Sequence, residues 1–160
     1  MAKVGRAARV ASKQRTETLG NGSSAPTAKV ITAAETGECY FINHNHASEL
    51  TISLPPVADG AYFRFQLVTQ LADNAGSIVI QDHADAAAGT MKGTVLCVVE
   101  SAAGVDSAVG TSKDGGSATK FTILDDTHVG SYIECYSDGT NWHLSGITIT
   151  DDDGRNIFDA

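Results

Sequence analysis

The sequence runs to 160 residues, 42% hydrophobic and 19% charged, with a formal net charge of −8. A chain of this length buries a working core without metals or disulfides, and it has no run of about 18 apolar residues that would cross a membrane as a helix. Its 16 glycines, with abundant Ala, Ser and Thr, weigh against a helical protein and for a turn-rich, all-β one.

The charge is unevenly placed. Residues 1–30 carry Lys3, Arg6, Arg9, Lys13, Arg15 and Lys29 against Glu17, a net +5, whereas residues 31–160 carry −13. A basic arm on an acidic body suits a negatively charged partner surface, or the body of a neighbouring copy. Up to about Ala28 the apolar side chains are small and the segment ends rich in Gly, Ser, Asn and Pro, too little to order itself alone. Residues 1–28 therefore read as an extended or disordered basic arm. It lacks the apolar stretch of a secretory signal, and Val4, Ala8 and Ala11 have the spacing of a short helix that only contact with a partner would stabilise.

The folded part is expected over residues 29–150 as one domain. Val30-Ile31 reads as a first strand and Cys39–Asn43 as a second. In "ELTISLP", Leu50, Ile52 and Leu54 face one side, the pattern of a half-buried strand stopped by Pro55-Pro56. Asp59-Gly60 turns the chain into "AYFRFQLVTQL", with Phe63, Phe65 and Leu67 opposite Tyr62 and Arg64. Gly76–Gln81 is a short strand, and "TVLCVV" is apolar enough for a strand buried on both faces. "GVDSAVGTSKDGGSATK" reads as a long exposed loop, and "KFTILDD" as a strand. In "SYIECYSDGTNWHLSG", Tyr132, Glu134 and Tyr136 alternate with Ile133 and Cys135. Asp138-Gly139 supplies a tight turn with positive φ, and Trp142 and Leu144 then share a face, pinning the register of a structural hairpin. Strands this frequent argue a β-sandwich or jelly-roll and not a βαβ fold. Residues 151–160 form an acidic tail whose Ile157 and Phe158 read as frayed, or docked on a neighbouring subunit.

The arrangement "ITAAETGECYFINHNHASELTISLPPVADGAYFRFQLV", with the later "GSYIECYSDGTNWHLSG", resembles small virion proteins of tailed bacteriophages, above all capsid decoration (cement) proteins and related head- or tail-fibre modules. In those proteins a "TISLP" strand is followed by G-x-x-x-x-F and the chain closes on "SDGTNW"; the resemblance covers Ile31 to Ile149. It implies a β-sandwich subunit, often a homotrimer on the capsid surface, with the major capsid protein as partner and no enzymatic activity. A receptor- or glycan-binding fibre module is the alternative. Lys3, Arg6, Arg9, Lys13, Arg15, Ile157 and Phe158 are then the candidate capsid or subunit contacts, and Asp138, Gly139 and Trp142 the hairpin's structural residues.

The remaining chemistry-bearing residues do not assemble in sequence. Cys39, Cys97 and Cys135 are odd in number and lie in apolar or alternating stretches, as buried reduced thiols do. His44 and His46, at i, i+2, make half a metal site, but no spacing supplies the rest, so a polar strand end or subunit contact is expected. Asp82 and Asp85 beside His83, Asp125-Asp126 and Asp151–Asp153 lack a calcium-loop pattern and read as solvated loop acids. There is no phosphate-binding loop, G-x-S-x-G or H-E-x-x-H. The arm has no aromatic interleaving and the body is acidic, which argues against nucleic acid. No catalytic residue, cofactor, metal or membrane partner is expected.

Overall fold

The computed structural model describes residues 14–83, 90–101, 104–151 and 157–159. Its strands are β1 Thr16–Gly22, β2 Lys29–Val30, β3 Cys39–His44, β4 Leu50–Ser53, β5 Tyr62–Leu67, β6 Ile78–Gln81, β7 Met91–Ser101, β8 Gly104–Ala118, β9 Lys120–Ile123, β10 Tyr132–Ser137, β11 Trp142–Thr150 and β12 Ile157–Asp159, with one 3₁₀ turn at Ala33–Glu35. The protein is all-β. A seven-stranded sheet runs in the order β1-β3-β5-β10-β11-β7-β8, and a five-stranded sheet in the order β12-β9-β6-β4-β2.

The first six strands alternate between the sheets, so strands two apart in sequence become neighbours. Each such pair, β1/β3, β3/β5, β2/β4 and β4/β6, is parallel. The chain therefore winds as a coil through both sheets before the hairpins β7/β8 and β10/β11 add antiparallel pairs. Alternation in sequence decides which side of each strand is buried. Tyr40, Ile42, Phe63, Phe65, Leu67, Ile133, Trp142 and Leu144 from one sheet join Leu50, Ile52, Ile78, Ile80, Phe121 and Ile123 from the other in a single hydrophobic cluster. Within it Tyr40 stacks on Phe65 with centroids 5.4 Å apart, and Phe63 meets Trp142 at 5.7 Å.

Four expectations change. Residues 16–22, assigned to the arm, form β1, whose Leu19 is 6% exposed and sits in the core. Polar composition hid a strand that one buried leucine and the β3 ladder hold. The stretch expected as a long loop is β8, hydrogen-bonded along β7; pairing overrides its weak intrinsic preference. "TVLCVV" is not buried on both faces, because Val95, Cys97 and Val99 are buried while Leu96 is 39% exposed. The acidic tail contributes β12, which pairs with β9 of its own chain, and Phe158 packs against the same core. Ile157 lies in that ladder opposite Thr122.

Glycine is required at places where two strands meet. Gly93 in β7 has φ +128°, and a Cβ there would overlap the backbone carbonyl of Leu144 in β11. The residue sits at a register shift in the β7/β8 ladder, where a bulge re-aims the strand.

Candidate interaction surface

The hairpin stands in the middle of the larger sheet, with β10 between β5 and β11. Its turn is built as the sequence indicates. Gly139 has φ +84°, and the Asp138 carboxylate accepts hydrogen bonds from the backbone N–H of Thr140 (2.8 Å) and Asn141 (2.7 Å). Asp138 also meets His143 Nε2 at 2.7 Å; this contact, with the two backbone bonds, holds its carboxyl far below the usual range. Trp142 is fully buried at the base of the turn. All three hairpin residues thus stabilise the turn and its packing.

The opposite side of the same strands looks outward. Cα register places Phe41, Gln66, Tyr132, Ile147 and Leu96 in one row across β3, β5, β10, β11 and β7. Beside it lie Val68, just past β5, and the paired Ile149 and Val98. Val68 is 45% exposed and Ile147 37%. Among the described residues the one formal charge over this band is the Arg64 guanidinium, which covers the Tyr132 ring and is paired with Glu134, and Gln66 is the band's polar member.

Charges border it on both sides. On one, Glu134 accepts hydrogen bonds from Tyr62 (2.9 Å) and Arg64 (3.1 Å), and the Arg64 guanidinium lies 4.5 Å from the centre of the Tyr132 ring. Burial, reinforced by the hydrogen bond to Glu134, pushes the Tyr62 phenol up to about 12. On the other, His128 lies between Asp151 (2.9 Å) and Glu100 (3.9 Å).

A second polar cluster, unforeseen from sequence, ties β1 to β2 and the 3₁₀ turn. Lys29 donates to Glu17 (2.7 Å) and Glu35 (2.6 Å) and lies 5.4 Å from the Tyr40 ring centre. Thr32 adds two hydrogen bonds to Glu35 from its backbone N–H and hydroxyl. Burial works to raise the Glu35 carboxyl, but the bonds from Lys29 and Thr32 outweigh it and bring it down to about 2. Burial likewise opposes the Lys29 charge, and the two carboxylates more than reverse this. Glu17, Glu35 and Glu38 are close enough to share a cation; the ammonium of Lys29 already bridges two of them. The residues stand 12 and 6 apart in sequence, so no short-range signal marks them.

The other predicted residues fall as follows. Lys3, Arg6, Arg9, Lys13, Asp85, Asp152 and Asp153 lie outside the described residues. Arg15 is exposed, 3.6 Å from Glu38 at the entry to β1. His44 is fully buried and its Nε2 bonds the Gly76 carbonyl at 3.0 Å; burial lowers its pKa. His46 accepts from the Ser48 N–H through its Nδ1. Asp82, expected as a solvated acid, is 6% exposed and accepts from the N–H groups of His83 and Thr90 and the Thr90 hydroxyl. It pins both ends of the connection between β6 and β7. Asp125 accepts from the Asn74 N–H, and Asp73, Asp125 and Asp126 make a partly exposed acidic group. Cys39, Cys97 and Cys135 are free and buried, and burial raises the Cys135 thiol.

No protein-family model, curated protein or solved structure matches this chain. Among the described residues no helix is long and apolar enough to cross a membrane. Function therefore rests on what the surface can do.

Proposed function

We propose that this chain is a structural subunit of a bacteriophage virion, a decoration or cement protein. In this reading it binds the outside of the capsid, stabilises the shell and works as a homotrimer. The observation that carries the reading is the mainly apolar outer band of the seven-stranded sheet, on a protein whose described carboxylates and histidines are largely engaged with its own backbone and side chains. A surface of that kind supports contact with another macromolecule, and the reading assigns the chain no catalytic step. The two sheets are taken as a β-sandwich of jelly-roll-like kind, wound as a coil over its first six strands. Lys3, Arg6, Arg9, Lys13 and Arg15 supply a basic attachment to an acidic shell or a neighbouring acidic body.

The test is addition of the purified chain to phage shells assembled without it. Co-sedimentation that saturates, with a higher temperature of shell disruption, is the expected result; shells that neither bind the chain nor gain stability would overturn the proposal. A glycan-binding fibre module is the second reading, favoured by Tyr62, Tyr132 and Tyr136 sharing one face beside Arg64 and Glu134. Saturable binding of an oligosaccharide, abolished by Tyr136→Ala, would move the assignment to it.

A further inference from the structure

We propose that copies of this chain associate through the outer face of the seven-stranded sheet, centred on Tyr132, Ile147 and Leu96. The inference deepens the reading above, whose homotrimer it supplies with a surface.

The two sheets differ in what they turn outward. On the five-stranded sheet the outward positions include Thr51, Ser53, Gln81 and Thr122; Val79 among them is only 5% exposed, and Val30 stands at the edge. The seven-stranded sheet turns out Phe41, Gln66, Tyr132, Ile147 and Leu96 in one row, four of the five apolar or aromatic, with Val68 and Ile149 in the next. Five strands about 4.8 Å apart and two rows deep give a mainly apolar band on the order of 300–400 Å², Gln66 and Asn43 included. That is the size at which an apolar patch on a soluble protein marks a contact site. With its charged borders included, the face approaches the roughly 800 Å² per partner of a standard interface. An apolar centre inside a charged rim is the anatomy of such interfaces.

Charge decides the occupant. Residues 31–160 carry a net −13, so most approaches of one copy to another bring like charges together. Among the described residues the outer band carries only Arg64, already paired with Glu134, so two or three copies meet there without that repulsion. The rim carries both signs at each end, Lys92 with the Arg64–Glu134 pair toward one and Glu100 and Asp151 about His128 toward the other.

The experiment is light scattering on the full chain over a range of micromolar concentrations, comparing wild type with Leu96→Glu and Ile147→Lys. Thr51→Lys on the outward face of the other sheet is the control. Wild type and control should have the mass of an oligomer, and the two variants the mass of one chain with an unchanged far-ultraviolet circular dichroism spectrum. If a charged variant fails to fold, Ile147→Thr, which keeps a β-branched residue, should still raise the dissociation constant at least tenfold. A wild type that stays monomeric throughout would overturn the inference and pass the face to another partner. Folded variants that remain oligomeric would also overturn it, by placing the interface elsewhere. A monomer would also remove the homotrimer from the reading above, whereas binding to the capsid is decided separately by the co-sedimentation assay.

Discussion

The ring of Phe158 meets that of Phe121 edge-on, with centroids 5.0 Å apart and planes at 68°. This contact fastens β12 to β9 of the same chain and gives the tail an intramolecular anchor. Aromatic pairs of this geometry add about 0.5–1.5 kcal/mol to the area they bury. Phe158→Ala should lower stability by about 2 kcal/mol, less than a fully buried phenylalanine would cost, and should leave the oligomeric mass unchanged. Chemical denaturation and light scattering on the one variant check both halves; dissociation without loss of stability would place Phe158 between subunits after all.

Glu35 should give the protein an acid-labile component. Its carboxyl is held at about 2 against an ordinary 4.5, so the native state keeps the charge that an unfolded chain would lose first. The stabilisation is complete above about pH 4.5 and is lost as the pH falls toward 2. Glu35→Gln should cost on the order of 2 kcal/mol at neutral pH and flatten the decline of melting temperature over that interval. Melting curves collected from pH 7 to pH 2 test this; parallel curves for the two proteins would refute it.

Trp142 fills the core beneath the hairpin turn, and its indole N–H has no hydrogen-bond partner among the described residues. Trp142→Ala should cost about 3–5 kcal/mol through the cavity it leaves. Trp142→Phe keeps much of the ring and removes the unpaired donor, so its cost should be nearer 1 kcal/mol. Equal losses for the two variants would mean that a phenyl ring does not fill the space the indole leaves.

Truncation separates the arm from the strand that follows it. Removing residues 1–13 should leave the melting temperature unchanged. Removing residues 1–28 also takes away β1 and the buried Leu19, and should cost about 3 kcal/mol or more. Thermal melts of the two truncations decide the matter, since equal stability would mean that β1 adds nothing to the fold.

What the sequence made legible follows from where the determining contacts lie. The hairpin was readable because Asp138, Gly139, Trp142 and the alternating residues around them sit within a dozen positions of one another, and each acts through local geometry. The β5 pattern was readable for the same reason. β8 was not, because its glycines, serines and lysine have little strand preference and are held by the partner β7. Neither was the winding of β1 to β6, since parallel pairing between strands two apart leaves no turn signature. Lys29, Glu17 and Glu35 meet only because that winding brings β1 and β2 beside the 3₁₀ turn. The outward row from Phe41 to Leu96 draws one residue from each of five strands, so it exists only once the order of strands is known.

β1 and β3 run in the same direction, with Thr16 to Leu19 matched one-for-one to Cys39 to Ile42. A pull entering at Gln14 and directed along β1 therefore loads the hydrogen bonds of that ladder together, in shear, instead of peeling them off singly. If residues 1–13 are a tether to a larger particle, the load passes into β3 and from there into the centre of the sheet. A subunit rooted in this way meets a pull at its point of attachment with a ladder that must give way as a unit.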